Sequence, residues 1–557
     1  MKYLDQTSQL PQGRLDLTHP IALVMLGAKD KTAAVARQIW RLAKAGWTLY
    51  ATGGTAKFLA EKKVIVTDVA KLIGHQPAMD HRMASCSWET NSLLISDQNN
   101  PQHAAHLIDQ LGYYPIQLLI CTVYGLHDEM RNPKSTWQSR LELTDFGGPA
   151  AIRAAAKGRR AIVWRTDQLK PTIDRLLKGD MTTEWLEEVA AEAEQFIAHY
   201  CGLSAANISD GRLQTLCLER VRGLRRGENP YQTGAALMKN AFGHNDPLAL
   251  DRFDIVGDTE PGWVNYTDVD RALNTLTTLA AVLEVNHRFS PPSYLGVVVK
   301  HGNPVGLTTA GTEEEALELT LTGNQRAAFG GILMVNFVLT KELAKKIIRG
   351  WLPDGESFRY LAGIVAPNMT LDAIDVLRGK EMKKQLLINP VLESIDLASL
   401  DTSPQYRPVR GGTLVRNGER YLLDLADKRL MVANDHLPTN DINLLIAWTA
   451  CATSNSNTTS CAGNYQLVGN GVGQQDRVGS CQLAMAQAGD RARLSSVVTD
   501  SFFPKLDGPQ VLVEHGVATV MNTTGSRADD EVAMYFKEHG MVHITIPDEI
   551  GRGFFGH

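Results

Sequence analysis

The chain has few cysteines and never pairs them. Cys86, Cys121, Cys201, Cys217, Cys451, Cys461 and Cys481 are scattered and odd in number, with no CxxC among them. That argues against a disulfide framework or a zinc site and for reduced thiols. No apolar run approaches the ~20 residues needed to cross a bilayer. The opening MKYLDQTSQLPQGRLDLTHP lacks the basic-then-apolar pattern of a secretory signal. These absences make a soluble, cytoplasmic protein without membrane contact the expectation. A basic excess is missing too: 56 Lys and Arg against 61 Asp and Glu leave a net charge of −5, unlike a nucleic-acid binder. No GxGxxG follows an early strand, which removes the ordinary dinucleotide fold. Neither a tandem repeat nor a low-complexity tract is visible.

What is present is an ordinary globular composition, 44% hydrophobic and 21% charged, spread over 557 residues. Single cores stop growing at about 250–300 residues, so several domains are expected. PIALVML (20–26), an amphipathic TAAVARQIWRLAKAG (32–46), then WTLYA leading through Gly53-Gly54-Thr55 into another helix read as strand–loop–helix repeated, the pattern of a parallel α/β sheet. IQLLICTVYGL (116–126) continues it, 183–201 reads as a long helix, and the polar segment beyond suggests a boundary near 205. The second half mixes strands (LGVVVK, GILMVN, AGIVAP, VATVMN, VHITIP) with helices. Residues 370–440 are too polar to divide with assurance.

The stretch richest in chemistry is VVVKHGNPVG, 297–306. Val297, Val298 and Val299 read as a buried strand that delivers Lys300 and His301 onto a turn built from Gly302, Asn303, Pro304 and Gly306. An ammonium there can hold developing negative charge while the imidazole moves a proton near neutral pH. A plain turn with a solvated lysine and a packed histidine fits the same letters. In the first half, Lys29, Asp30, Lys31 and Thr32 open one helix and Thr52, Gly53, Gly54 and Thr55 another. Free amides at helix starts suit phosphate, though two capped helices would look the same. LTDFGGPAAIRAAAKG sets Asp145 before a Gly-Gly-Pro turn, with Arg153 and Lys157 on one helix face. Four further clusters are RRGENPYQTGA (225–235), RAAFGGIL (326–333), SNSNTTSCAGNYQLVGNGVGQQDR (454–477) and TDSFFPKLDG (499–508). Each alone is as compatible with structure as with function.

In this order and spacing the clusters resemble one family over nearly the whole chain: the bifunctional purine-biosynthesis enzymes that join AICAR formyltransferase to IMP cyclohydrolase. KDKT, ATGGTAKFL and FGGPAAIRAAAKG carry the likeness in the first part. RGENPYQ, KHGNPVG, AFGGI, SNSN, GNGVGQQDR, TDSFFPKLDG, GSRADDEV and the terminal RGFFGH carry it in the second. The resemblance implies an α/β fold: a methylglyoxal-synthase-like Rossmann-type domain (1–205), then a transformylase domain of two cytidine-deaminase-like α/β subdomains (206–557). It implies formyl transfer from 10-formyltetrahydrofolate as co-substrate, with no resident metal and a monovalent cation left open. It implies a homodimer, since family members build the site across the subunit interface.

By the same resemblance His301 matches the proton-transfer residue, Lys300 its charge-steadying partner and Asn457 the orienting amide. Arg225, Arg226, Tyr231, Phe329, Gly330, Arg477 and Arg552 match the substrate side, and Phe502, Phe503 and Asp507 the folate side. Lys31, Thr32, Gly53, Gly54, Thr55, Arg82, Tyr124, Asp145 and Lys157 match the cyclohydrolase site. The departures are as informative. Where the family reads RVKTLHP, this chain has Arg82-Met83-Ala84-Ser85-Cys86, so an expected lysine is Ala84. RYGxNPHQ has become Arg225-Arg226-Gly227-Glu228-Asn229-Pro230-Tyr231-Gln232. The acid before GIVAP is Ala362, the lysine before the Ser-Asn pair is Asn455, and the cysteine after KHxNP is Val305. These changes point to retained formyl transfer with altered acceptor recognition and a weak or absent cyclohydrolase. A fully bifunctional enzyme using Lys31 or Lys157, and a non-catalytic nucleotide sensor, are the rival readings.

Overall fold

Three strands of the first half, β1 (Ile21–Met25), β4 (Leu118–Cys121) and β5 (Ala161–Val163), are buried at every position. Continuous apolar runs of this kind mark strands covered on both faces. In the computed structural model they join β2 (Thr48–Ala51) and β3 (Thr67–Asp68) in an all-parallel sheet of order β3-β2-β1-β4-β5. The pleat divides β1 between two cores: Ala22 and Val24 face one, Ile21, Leu23 and Met25 the other. Helix α1 (Ala33–Lys44) is capped by the Thr32 hydroxyl, which accepts from the Val35 amide, and buries Val35, Ala36, Ile39 and Leu42. Helices α2 (Gly53–Glu61), α3 (Gly147–Lys157) and α4 (Thr183–Ile208) complete the layers used below. Helix α4 continues to Ile208 through the polar segment read as a boundary near 205. The structure describes residues 20–75, 85–97, 100–112, 114–243, 245–257, 260–288, 293–352, 358–378, 384–432 and 442–556.

The chain separates into two compact units, one of 1–219 with 240–243, the other of 220–239 with 244–557. The second unit is organised around a 12-stranded sheet. Helix α5 (Trp263–Val285) precedes a hairpin of β6 (Tyr294–Lys300) and β7 (Asn303–Ala310), and then come β8 (Ile332–Val335), β9 (Gly363–Ala366) and β10 (Gln385–Ile388). After that the pattern recurs. Helix α6 (Ile442–Ala452) precedes a hairpin of β11 (Thr459–Gly463) and β12 (Gln466–Gly471), followed by β13 (Ser496–Thr499), β14 (Thr519–Thr524) and β15 (Val542–Pro547).

In both copies the third strand pairs antiparallel with the first, and the fourth and fifth run parallel to the third. The copies meet where β7 pairs antiparallel with β12, Thr308 opposite Gln466. The fold is therefore duplicated although the letters show no repeat. Helices α5 and α6 contribute to one core under the sheet, while the opposite face is covered by a separate cluster in each copy. Val297, Val299, Ile332 and Leu387 are fully buried in the shared core, each contributing about 1.5–3 kcal/mol relative to exposure.

One expectation needs correction. Asn303, Pro304 and Gly306 are not a turn: they begin β7, and the register slips between Pro304 and Gly306. A strand tolerates proline at such an irregularity, where no ladder N–H is needed.

Candidate functional site

The turn between β6 and β7 is two residues long, His301 and Gly302, with φ of +52° and +71°. Positive φ at both positions is the hairpin turn whose twist matches the strands, and histidine tolerates it better than most residues. The turn is anchored from α5. Asp268, 5% exposed, accepts from the Gly302 amide at 2.7 Å and also takes a backbone bond from His301. Burial pushes the Asp268 carboxyl above its ordinary value, partly offset by those two amides. Lys300 donates to the Phe329 carbonyl at 2.7 Å, which ties the ammonium to the Phe-Gly-Gly segment. Gly330, at φ +78°, donates its amide to the Tyr360 carbonyl, and the 56%-exposed Phe329 ring lies 5.6 Å from that of Tyr360. Ala362 falls in the same cross-strand row as Lys300 and Gly331, next to the row of Val299, Ile332 and Gly363.

The second copy supplies the facing loop. Asn455 donates its amide to Asn303 Oδ1 at 3.1 Å, joining the residue after the turn to the segment that carries Asn457. Asn457 Nδ2 donates to the Gln474 carbonyl at 2.9 Å, and its Oδ1 accepts from Arg477 Nη2 at 3.2 Å. The structure thus brings Lys300, His301, Phe329, Gly330, Asn457 and Arg477 to one end of the sheet. Arg477 itself differs from an open phosphate fork. It is 5% exposed, forms an ion pair with the buried Asp500 at 2.6 Å and donates to the Thr458 carbonyl at 2.7 Å. Its charge is already matched, and its remaining polar contact of note is the bond that holds the Asn457 side chain. The C-terminal segment closes this corner: Phe555 donates its amide to the Ser454 carbonyl, and Ser456 donates to that of Gly556.

The remaining expected residues are distributed differently. Phe503 is 1% exposed and packs edge-on to Phe536 at 6.0 Å, so its ring is core and not ligand surface in this conformation. Phe502 is half-buried with the Arg552 guanidinium 5.6 Å over its ring, and Arg552 is paired with Asp548 at 2.7 Å. Asp507 is exposed. Arg225, Arg226 and the 80%-exposed Tyr231 stand on an outward loop closed by the Gly227 amide on the Gln232 carbonyl. Among the described residues no hydrogen bond or ion pair joins that loop to Lys300 or His301. Sequence reasoning passed over Asp268, Arg271 and Asn303 as site residues. The first two sit in a run, TDVDRALN, that reads as an amphipathic helix, and nothing local reveals that its charges are buried.

In the first unit the loops after β1, β2 and β4 converge at the carboxyl ends of the strands, where the order reverses between β1 and β4. Open parallel sheets bind ligands at such a point. The Leu26 amide donates to Thr55 Oγ1 at 3.0 Å and the Gly27 amide to Thr122 Oγ1 at 2.9 Å. A side chain at Gly54 would stand 3.2 Å from Lys31 Nζ, so the glycine makes room for that ammonium at the start of α2. Asp145 accepts from the Gly148 amide at 2.9 Å, while burial raises its carboxyl; burial and then Asp145 raise the Tyr124 phenol. Lys157 does not join them. It is exposed at the far end of α3, about 15 Å along the axis from Gly147 at 1.5 Å per residue. Arg82 and Ala84 lie outside the described residues. Among the described residues no group of three or more His, Cys, Asp or Glu could hold a metal ion, and no helix is long and apolar enough to cross a membrane.

The model of the AICARFT/IMPCHase bienzyme family matches residues 155–487, more than half of the chain. The chain belongs to that family. A model of the MGS-like domain matches residues 35–147. Proteins named "Bifunctional purine biosynthesis protein PurH" are similar over nearly the full length. The one from Sorangium cellulosum (strain So ce56) is 30% identical, covering 92% of this chain and 95% of its own. Those from Prochlorococcus marinus (strain MIT 9303) and Bacillus subtilis (strain 168) are 28% and 26% identical, each covering 94% of this chain and 98% of its own. A solved structure titled "Crystal structure of ForH" overlays 35% of this chain and 98% of its own, at 20% identity and a TM-score of 0.29, too loosely to bear on the fold. This AICARFT/IMPCHase chain is thus a divergent relative of proteins named for purine biosynthesis, similar to them over nearly all of their length.

Proposed function

We propose that the chain transfers a formyl group from 10-formyltetrahydrofolate to the amine of AICAR or a close aminoazole carboxamide nucleotide. The observation that carries this reading is the Asn303–Asn455 hydrogen bond, which ties the Lys300-His301 turn to the loop bearing Asn457. The amine of such a nucleotide is a poor nucleophile, because its lone pair is delocalised into ring and carboxamide. In this reading His301 takes the amine proton, Lys300 steadies the tetrahedral oxyanion, and Asn457, held by Arg477, orients the carboxamide. The exposed Arg225-Arg226-Tyr231 loop reaches a site only as part of a homodimer, in which each subunit completes the other's centre. Arg226 and Ala362 replace the family's tyrosine and acid, and altered acceptor preference follows from them. Steady-state transfer to AICAR by the purified chain, lost in His301→Ala with binding retained, is the expected result. Binding without transfer to any aminoazole carboxamide nucleotide would instead establish the sensor.

The cyclohydrolase is weak or absent in this reading, because an ammonium missing beside a phosphate or carboxamide costs roughly 1–3 kcal/mol or more. Supplied with FAICAR, the protein should form little IMP; family-normal turnover would refute this. Full bifunctionality has one observation in its favour, the Lys31 ammonium beside Gly54, and Lys31→Ala separates the two outcomes.

A further inference from the structure

Two buried charged residues on α5 have no part in the proposed chemistry, yet both reach it. Asp268 is 5% exposed and Arg271 8%, and three residues apart they share a helix face. Asp268 holds the His301-Gly302 turn through backbone amides. Successive N–H groups of a left-handed turn form a concave anion seat, and here a carboxylate of the chain fills it. Arg271 works on the other side of the site. Its Nη1 donates to the Thr453 carbonyl at 2.8 Å, and its guanidinium carbon lies 3.3 Å from the centre of the Phe555 ring. Thr275, one turn further, donates to Thr453 Oγ1 at 3.1 Å. One helix face therefore grips the imidazole's turn with one residue, and with the next the root of the segment 453–457 and the C-terminal aromatic packed on it.

We propose that Asp268 and Arg271 are positioning residues that fix the separation between His301 and Asn457. The proposal rests on the formyl-transfer reading but makes a claim about geometry that stands without it. The duplicated fold contains its own control. At the equivalent turn of the second copy, Asn464 and Tyr465 also have positive φ, and the Tyr465 amide donates to Asn443 Oδ1 of α6 at 2.8 Å. An uncharged amide thus suffices to hold such a turn. The residue three places on from Asn443 is Ile446, so the second half of the grip belongs to the first copy alone.

The test uses the full-length protein. Asp268→Ala should lower kcat for formyl transfer about 100-fold, with KM for both substrates changed less than about threefold. Asp268→Asn, which copies the sister contact, should restore kcat to within about fivefold of wild type. In a His301→Ala background Asp268→Ala should cost less than about threefold more, because the residue acts through the imidazole. Arg271→Ala should act likewise through Asn457, being nearly silent in Asn457→Ala. Asn443→Ala should lower the melting temperature without moving kcat. Additive losses in the double variants, or a loss confined to KM, would overturn the proposal. Amide hydrogen exchange supplies a readout that needs no substrate: peptides covering 299–304 and 453–457 should exchange faster in Asp268→Ala and Arg271→Ala respectively. Unchanged exchange would overturn the geometry even if wild type transfers formyl. Faster exchange in a chain with no transferase activity would sink only the functional reading.

Discussion

The hairpin turn of the first copy reads Lys300-His301-Gly302-Asn303; the equivalent positions of the second read Gly463-Asn464-Tyr465-Gln466. Both turns have positive φ at the two central residues, and both are anchored by a side-chain oxygen from the helix that precedes the hairpin. Backbone geometry is thus shared while chemistry is not. The second copy has the same scaffold without the ammonium and the imidazole, and what it brings to the proposed site is the segment 454–457 and the start of the helix opened by Arg477. Because β7 and β12 run antiparallel, the first copy's Lys300-His301 turn lies beside the second copy's helix-to-strand segment and not beside its own counterpart. The two copies thus share a backbone plan while each residue of the proposed centre occurs in one of them only.

The strongest way to break this comparison is to make the first turn resemble the second. Lys300→Gly combined with His301→Asn should reduce formyl transfer by about 10³-fold or more, since a general base alone supplies typically 10²–10⁴. The circular dichroism spectrum and melting temperature should stay near wild type, because the sister turn shows that the backbone accepts these residues. Residual transfer above a tenth of wild type would show that the two turns are not chemically distinct. Next in size is the second copy's contribution. Arg477→Met leaves the Asp500 carboxylate buried without its partner, which should cost about 3–5 kcal/mol in denaturant unfolding. Arg477→Met with Asp500→Leu should recover much of that loss, and failure to recover would mean that the pair is not what sets the cost.

How much of this was legible in the letters depends on range. The parallel sheet of the first unit was readable from its apolar runs and helix starts, and the strand delivering Lys300 from its three valines. The end of that strand was misread, since Asn303 and Pro304 look like a turn in isolation and become strand only through pairing with β6. The duplication was invisible because what the copies share is burial and order of elements: Val299 is matched by Ala462 and Ile332 by Ser496. Arg477 was legible as important and Phe503 as aromatic, but their burial was not, because it is imposed by Asp500 and Phe536, distant in sequence. Lys157 shows the limit of motif reading: the letters place it near Asp145, and eleven residues of helix carry it away.

The fifth strands sharpen the comparison through pH. His543 on β15 is 3% exposed, and burial pulls its imidazole down to about 4 while a ring nitrogen meets Asn522 Oδ1 at 2.6 Å. Its folded value is depressed, so the stability it supports is complete above about 6.5 and is lost as pH falls toward 4, the unfolded chain binding the proton first. Wild type should therefore lose about 2–3 kcal/mol more than His543→Gln between pH 7 and pH 4.5 in urea titrations. Parallel curves would assign the acid sensitivity elsewhere.

The smallest effect expected is at the matching strand of the first copy, where a second buried base has the same linkage sign in a more alkaline window. Lys384, 4% exposed just before β10, has its ammonium pulled down to about 8 by burial. By register its counterpart before β15 is Met541, also buried. A depressed lysine costs the fold stability at every pH below its folded value, and that cost fades as pH rises toward the unfolded value near 10.4. Lys384→Met should consequently raise stability at pH 7 by about 1–2 kcal/mol, with the gain shrinking by pH 10. Since the proposed formyl transfer uses Lys300 at the end of β6, His301 in the turn after it and Asn457 just before β11, a stabilised variant with unaltered kcat is expected. A variant that gains stability but loses transfer would place this buried ammonium within reach of the substrate, and would move the boundary of the site three strands outward from Lys300.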